Sequence, residues 1–256
     1  RMLLSGLFLL PFLPRAFKRV PRPKLPAIAI VGLVGSGIPA FLYPVAQQKI
    51  DSAVMGIINS TVPLFTFLIG LAFFKLIFNR IKALGIAIGL AGAMVLVFVR
   101  SDGGFSADYA FAMLGIAATI CYGLSTNIIK SRLNEIDSLS LTAVVYLITA
   151  IVAMASFVFN GSSILQASTN HPIGFLYMVL LSLLGTAVAM ILFNRLVQRT
   201  DALFAATVTY LMPVVSIFWG VLDGEQLGWW VFLGMFLILA GVFITNRLSL
   251  PQKQKQ

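Results

Sequence analysis

Asn59 is an amide in the middle of an apolar run. It stands about eight residues into SAVMGIINSTVPLFTFLIGLAFF, residues 52 to 74, roughly 12 Å from one end of a helix that rises 1.5 Å per residue. A polar group at that depth is costly against lipid, so it must face a partner or a cavity. Two readings are open, a hydrogen bond to a bound solute and a structural bond to a neighbouring helix. Four residues on, Pro63 lacks an N–H and crowds the carbonyl of Asn59; Pro213 does the same to Thr209 in ALFAATVTYLMPVVSIFWGVL, residues 202 to 222. Paired interruptions of this kind mark a hinge or a binding site, unless they are static packing kinks. The chemistry on offer is reversible binding. Catalysis would need convergent nucleophiles, carboxylates or metal ligands. Here the one histidine, His171, reads as a solvated loop residue beside Pro172, and the one cysteine, Cys121, lies inside an expected helix. Neither an internal disulfide nor a cysteine-based metal site is possible, so no catalytic residue, metal ligand or cofactor is assigned.

The two proline-bearing runs are copies of each other. In the first, Ser52, Gly56, Asn59, Pro63, Thr66 and Gly70 form a small or polar stripe at helical spacing; in the second, Ala202, Ala206, Thr209, Pro213, Ser216 and Gly220 do so. Each pair is offset by 150 positions. The match extends to Gly35 with Gly185, Gln48 with Gln198 and Asp51 with Asp201, then, after a slip of one residue, to Gly85 with Gly234 and Gly92 with Gly241. Such self-similarity is the sequence mark of a duplicated bundle, an arrangement characteristic of transporters.

The elements that carry these residues belong in a bilayer. Hydrophobic residues make up 59% of the chain, charged residues 10%, and the mean hydropathy is +0.99, whereas a soluble domain keeps about 25% of its residues charged. Crossing about 30 Å of hydrocarbon takes roughly 20 helical residues. Full-length spans are expected near residues 27 to 46, 52 to 74, 81 to 99, 109 to 130, 138 to 159, 173 to 195, 202 to 222 and 228 to 246. The run from Met2 to Phe12, bounded by Pro11 and Pro14, is half a span and reads either as an interfacial piece or as a membrane helix whose start is missing; no small-residue cleavage site follows it, which argues against a secretory signal. Uninterrupted apolar runs exclude the alternating pattern of a barrel wall.

Charge sets the orientation. The loops on one side sum to +12 and those on the other to −3, which with Arg1 make the net +10. The basic side is expected to be cytoplasmic, C-terminus included, and this one-sided distribution argues against a nucleic-acid partner. The copies are joined after an odd number of spans, so equivalent helices must cross in opposite directions. Accordingly Lys75 on the basic side occupies the place that Glu225 holds on the other. Subtracting 150 from the helices of the second copy leaves one whole helix and the front of another without partners, so the expected parent has ten membrane helices and this sequence begins partway through the second. The organisation expected is a first repeat at 1–99, a second, inverted repeat at 100–248 and a cytoplasmic tail at 249–256.

Residues 173 to 246 carry a recognisable pattern: Gly185-Thr186-Ala187, the small residues before Pro213, the Gly224-Glu225 turn and a glycine-studded last helix ending Leu239-Ala240-Gly241. Asn59 to Phe65 and the glycines 85 to 92 match it more loosely in the first copy, with Lys75 replacing the usual acidic residue. The chain resembles an EamA-type transporter of the drug/metabolite transporter superfamily over nearly its whole length. The resemblance implies an all-α membrane protein with an inverted five-plus-five helix repeat, here about eight full helices and one partial. It implies transport of small organic metabolites, amino acids or similar, by alternating access in a bacterial inner membrane. Within the helices that line the family's cavity, it points to Tyr43, Tyr122, Ser125, Asn127, Asn194, Thr207 and Tyr210 as substrate-binding candidates beside Asn59, each with packing as its alternative. No Asp or Glu lies deep in a span, which favours an exporter or facilitator working by facilitated movement or exchange over a proton-coupled pump. The alternative from another class is a non-transporting receptor or assembly protein on the same fold. The expected partners are a small-molecule substrate and the lipid bilayer; substrate, coupling ion and oligomeric state are not legible.

Overall fold

The computed structural model describes residues 1–50, 52–100, 109–170, 172–212, 215 and 229–245, with backbone alone at 52–54, 57, 96–100 and 156–170. Pro213, one of the two expected hinges, lies outside the described residues, as do Asp51, His171, Ser216, Gly220, Gly224, Glu225 and the tail 249–256. The described elements are all helical. In chain order they are α1 (Met2–Leu9), α2 (Leu13–Arg19), α3 (Leu25–Gly32), α4 (Ile38–Ala46), α5 (Ser52–Asn59), α6 (Val62–Phe73), α7 (Arg80–Arg100), α8 (Tyr109–Arg132), α9 (Ser138–Asn170), α10 (Pro172–Ser182), α11 (Ala189–Arg199), α12 (Ala202–Thr207) and α13 (Trp229–Phe243). Arg22–Ala46, Tyr109–Arg132, Ser138–Ala155 and Pro172–Arg199 are long and apolar enough to cross a membrane; Val62–Phe73 and Trp229–Phe243 are shorter apolar helices.

The chain divides into two compact units, Arg1–Ala40 with Ile128–Ala202, and Phe41–Asn127 with Leu203–Gln256. Each unit draws on both copies of the repeat. In the first, the prolines that bound the N-terminal run stand where new helical segments start, after α1 has ended at Leu9. Pro11 and Pro14 stand in the first turns of the 3-10 segment Leu10–Phe12 and of α2, where the missing N–H would have had no intrahelical partner anyway. The path therefore continues through Phe12 to Arg19, and Val20 is extended ahead of Pro21, the conformation a residue before proline prefers. α1 and α2 pack on α9, whose Leu141, Val144, Val145 and Tyr146 are buried. The duplication is visible in the backbone: α3 joins α4 through a π-helical turn at Leu33–Gly37, and α10 joins α11 through another at Leu183–Val188. The two turns begin 150 residues apart, and each holds one of the paired glycines, Gly35 and Gly185.

In the second unit, the expected span 52 to 74 is two helices. α5 ends at Asn59 and α6 begins at Val62 with Pro63 in its first turn. The chain leaves α-geometry at Ser60 and Thr61, before the proline, because Pro63 cannot donate to the carbonyl of Asn59. Local hydroxyls serve the carbonyls around the break: Ser60 Oγ donates to Gly56 O at 2.8 Å and Thr61 Oγ1 to Ile58 O at 2.6 Å. The second copy is interrupted at the equivalent register, where α12 tightens into a 3-10 turn at Val208–Tyr210 and Thr209 Oγ1 donates to Ala206 O at 2.9 Å. α6 ends at Phe73, and Lys75, two residues beyond, takes φ 55°, an αL conformation that closes a helix at some strain in a residue other than glycine.

α7 and α13 are repeat partners that cross so closely that a methyl group has no room. A Cβ on Gly92 would stand 2.8 Å from Gly234 O, and one on Gly241 would stand 2.6 Å from Gly85 O. Since Gly85 pairs with Gly234 and Gly92 with Gly241 in the repeat, each glycine meets the counterpart of the other. That reciprocity is the contact pattern of a two-fold axis. Because residue numbers rise along one helix as they fall along the other, the two equivalents run in opposite directions, as an inverted repeat requires.

Candidate functional site

Seven of the eight expected binding residues lie in the second unit; Asn194 belongs to the first. Three of the seven converge. The Tyr43 hydroxyl, on α4, donates to Asn59 Oδ1 at 2.8 Å, and the Tyr43 ring stacks on Tyr122 of α8 with centroids 5.9 Å apart and planes inclined by 29°. The Asn59 amide nitrogen donates in turn to the Met212 thioether at 3.0 Å. Asn59 holds this place because it is the last residue of α5, where the helix stops short of Pro63. Tyr43, Asn59 and Tyr122 are all half-buried. Beneath Tyr43 lies an apolar floor of Ala46, Ile50, Met55 and Ile58.

The cluster is uncharged, has two aromatic faces and is rich in polarisable groups. Its hydrogen bonds are exchangeable, since a thioether is a weak acceptor and an amide can trade it for a better one. A solute presenting both an apolar surface and hydrogen-bonding groups suits such a site. Met212 was not among the expected residues. Nothing in a methionine ahead of a proline signals that it will accept a bond from an asparagine 153 positions away.

The remaining candidates are occupied with the backbone or buried. Asn127 Nδ2 donates to Thr66 O on α6 and to Gly123 O on its own helix, both at 2.9 Å, so it ties α8 to α6. Tyr210 is fully buried; its hydroxyl donates to Ile86 O at 3.0 Å, and its ring covers Gly89, where an added Cβ would stand 2.8 Å from it. Thr207 Oγ1 donates to Phe204 O at 2.7 Å, and Ser125 is 5% exposed. In the first unit, Asn194 Nδ2 donates to Thr142 Oγ1 at 2.9 Å, and its buried Oδ1 has no partner among the described residues. No three metal-ligating side chains gather among the described residues.

Known proteins are similar to this chain over most of its length. "Uncharacterized inner membrane transporter YedA" of Escherichia coli K12 is 28% identical over 99% of this chain and 82% of its own length. "Uncharacterized transporter YoaV" of Bacillus subtilis 168 is 24% identical over 94% of this chain and 82% of its own. A solved crystal structure, 20% identical, shares the fold with a TM-score of 0.75 across 97% of this chain and 85% of that one. The EamA-like transporter family matches residues 1–98 and 110–247. With membrane-crossing helices, duplicated and mutually inverted, and a family match over almost its whole length, the chain belongs to the EamA-like transporter family of membrane proteins.

Proposed function

We infer that this transporter moves small organic metabolites, amino acids or solutes of similar size and polarity, by alternating access, and that Tyr43, Asn59 and Tyr122 with Met212 form part of its substrate site. The observation that carries this reading is the chain of hydrogen bonds from Tyr43 through Asn59 to Met212 at the interruption between α5 and α6. An amide nitrogen whose acceptor is a thioether is well disposed to bond a solute instead, and an interrupted helix can change direction there without losing a complete hydrogen-bond ladder. Glu135 and Asp137 lie in the link between α8 and α9, and Asp201 just ahead of α12, which supports facilitated movement or exchange rather than proton-driven pumping. By likeness to the Escherichia coli relative, whose description places it in the inner membrane, the same location is proposed here, with the basic loops and C-terminus on the cytoplasmic face.

The test is substrate counterflow in proteoliposomes. Vesicles preloaded with a panel of unlabelled metabolites are screened for uptake of the labelled compound, and the positive solute is repeated with Asn59→Ala. Saturable counterflow that falls in the variant supports the reading. Absence of flux for every solute sinks transport, and unchanged flux in Asn59→Ala moves the site elsewhere.

A further inference from the structure

The segment from Arg15 to Lys24 carries five cations in ten residues, and the structure divides them into two sets. Arg19 pairs with Asp137 at 3.8 Å, and Lys24 Nζ donates to Arg132 O at 2.8 Å. Asp137 is itself well anchored: although burial opposes its charge, bonds from the Ser140 hydroxyl and from the Ser140 and Leu139 amides, with Arg19 nearby, hold its carboxyl below the usual range. Those two cations secure the segment to the fold. Arg15, Lys18 and Arg22 are exposed and have no partner among the described residues.

These three share their surface with apolar groups. Phe17 is 54% exposed and Phe12 41%, while Ala16 and Val20 are buried, so α2 packs by one side and offers cations and aromatic rings on the other. Arg15 and Lys18 are neighbours at helical spacing. Arg22 opens the membrane-crossing helix Arg22–Ala46, which puts the group at the level where hydrocarbon gives way to headgroups. Paired cations suit phosphate, and exposed phenylalanines beside them suit acyl chains rather than water.

We propose that Arg15, Lys18 and Arg22, with Phe17, bind the phosphodiester headgroup of an anionic phospholipid and anchor the first compact unit at the membrane boundary. The occupant is the lipid, not a free phosphate, because the cations lie beside aromatic rings at the start of a membrane-crossing helix. Each cation near an anionic surface is worth roughly a fivefold change in affinity, so removing three should weaken lipid binding by up to about a hundredfold.

The experiment uses the full chain in neutral detergent, with its melting temperature followed as phosphatidylglycerol, phosphatidylcholine or inorganic phosphate is added. Retained lipid is counted by native mass spectrometry. Phosphatidylglycerol should raise the melting temperature and be retained, and the other two should not. In Arg15→Gln/Lys18→Gln/Arg22→Gln the shift and the retention should disappear, while the lipid-free melting temperature stays put, since the side chains are exposed. The equally discharged variant Lys49→Gln/Arg80→Gln/Lys82→Gln should keep them. If the triple variant does not fold, the single variants decide, each weakening retention about fivefold. Equal retention by the Arg15 and Lys49 sets, an equal shift with phosphatidylcholine, or a full shift with inorganic phosphate would each overturn the proposal.

Discussion

The glycine crossing of α7 and α13 and the break between α5 and α6 lie in the same compact unit, yet they solve opposite problems. At the crossing, backbones approach until an added Cβ on Gly241 would stand 2.5 Å from Gly89 N. Van der Waals contact is complete and nothing can be inserted. At the break, the backbone ladder is incomplete by construction, and Asn59 bonds a tyrosine hydroxyl and a thioether. The contrast teaches that small residues and prolines decide whether an apolar helix packs as a closed scaffold or is interrupted, as at the candidate site. Small residues remove the side chain that would keep two helices apart, and proline removes the donor that would keep one helix whole.

The comparison breaks most sharply at the crossing. Gly241→Ala should destabilise the protein by about 3 kcal/mol through overpacking against backbone that cannot yield, against which a gain of roughly 1 kcal/mol in helix propensity is too small to compensate. Thermal unfolding in detergent reads this, and an unchanged melting temperature would dissolve the claim that the crossing is rigid. At the break, Asn59→Ala should lower transport about tenfold, equivalent to about 1.4 kcal/mol, with a change in stability within about 1 kcal/mol. A large loss of stability with no separate loss of flux would make Asn59 part of the scaffold. Tyr210 packs on α7 beside the crossing, where it covers Gly89 and bonds Ile86 O. Tyr210→Phe should cost about 1 kcal/mol of stability and leave the transport rate of the folded protein unaltered. The smallest effect belongs to Tyr43→Phe, which keeps the stacked ring and frees Asn59 Oδ1: substrate affinity should shift by about twofold to fivefold, in binding titrations on the solute found by counterflow. The sign of that shift tells whether the Tyr43–Asn59 bond competes with substrate or supports it.

Much of the fold is legible in the amino-acid order. The offset of 150 implies two equivalent interruptions and two equivalent glycine positions, and the backbone carries them as the broken helix at Ser60 and Thr61, the 3-10 turn at Val208–Tyr210 and the paired π turns. The candidate site is legible in part. Asn59 is marked by its depth, and Tyr43 and Tyr122 by family resemblance. Asn127 and Tyr210 carry the same signal and are spent on the carbonyls of Thr66 and Ile86. A polar side chain in an apolar span announces that it needs a partner but does not name one, and a backbone carbonyl leaves no trace in the residue type that bears it. The N-terminal prolines bound α1 and also begin the segments that follow, because a proline tolerates the first turn of a helix and not its interior.

Hydrophobicity and charge accumulate residue by residue, and a repeat is a relation between positions. Membrane residence, the duplication and its inversion are therefore contained in the amino-acid order alone. Hydrogen bonds and close packing depend on separations of about 3 Å between residues far apart in the chain. Only the tertiary structure could decide that Asn59 would meet Tyr43 and Met212, that Gly241 would meet Gly85 and Gly89, and that Arg19 would be paired while Arg15, Lys18 and Arg22 were left exposed.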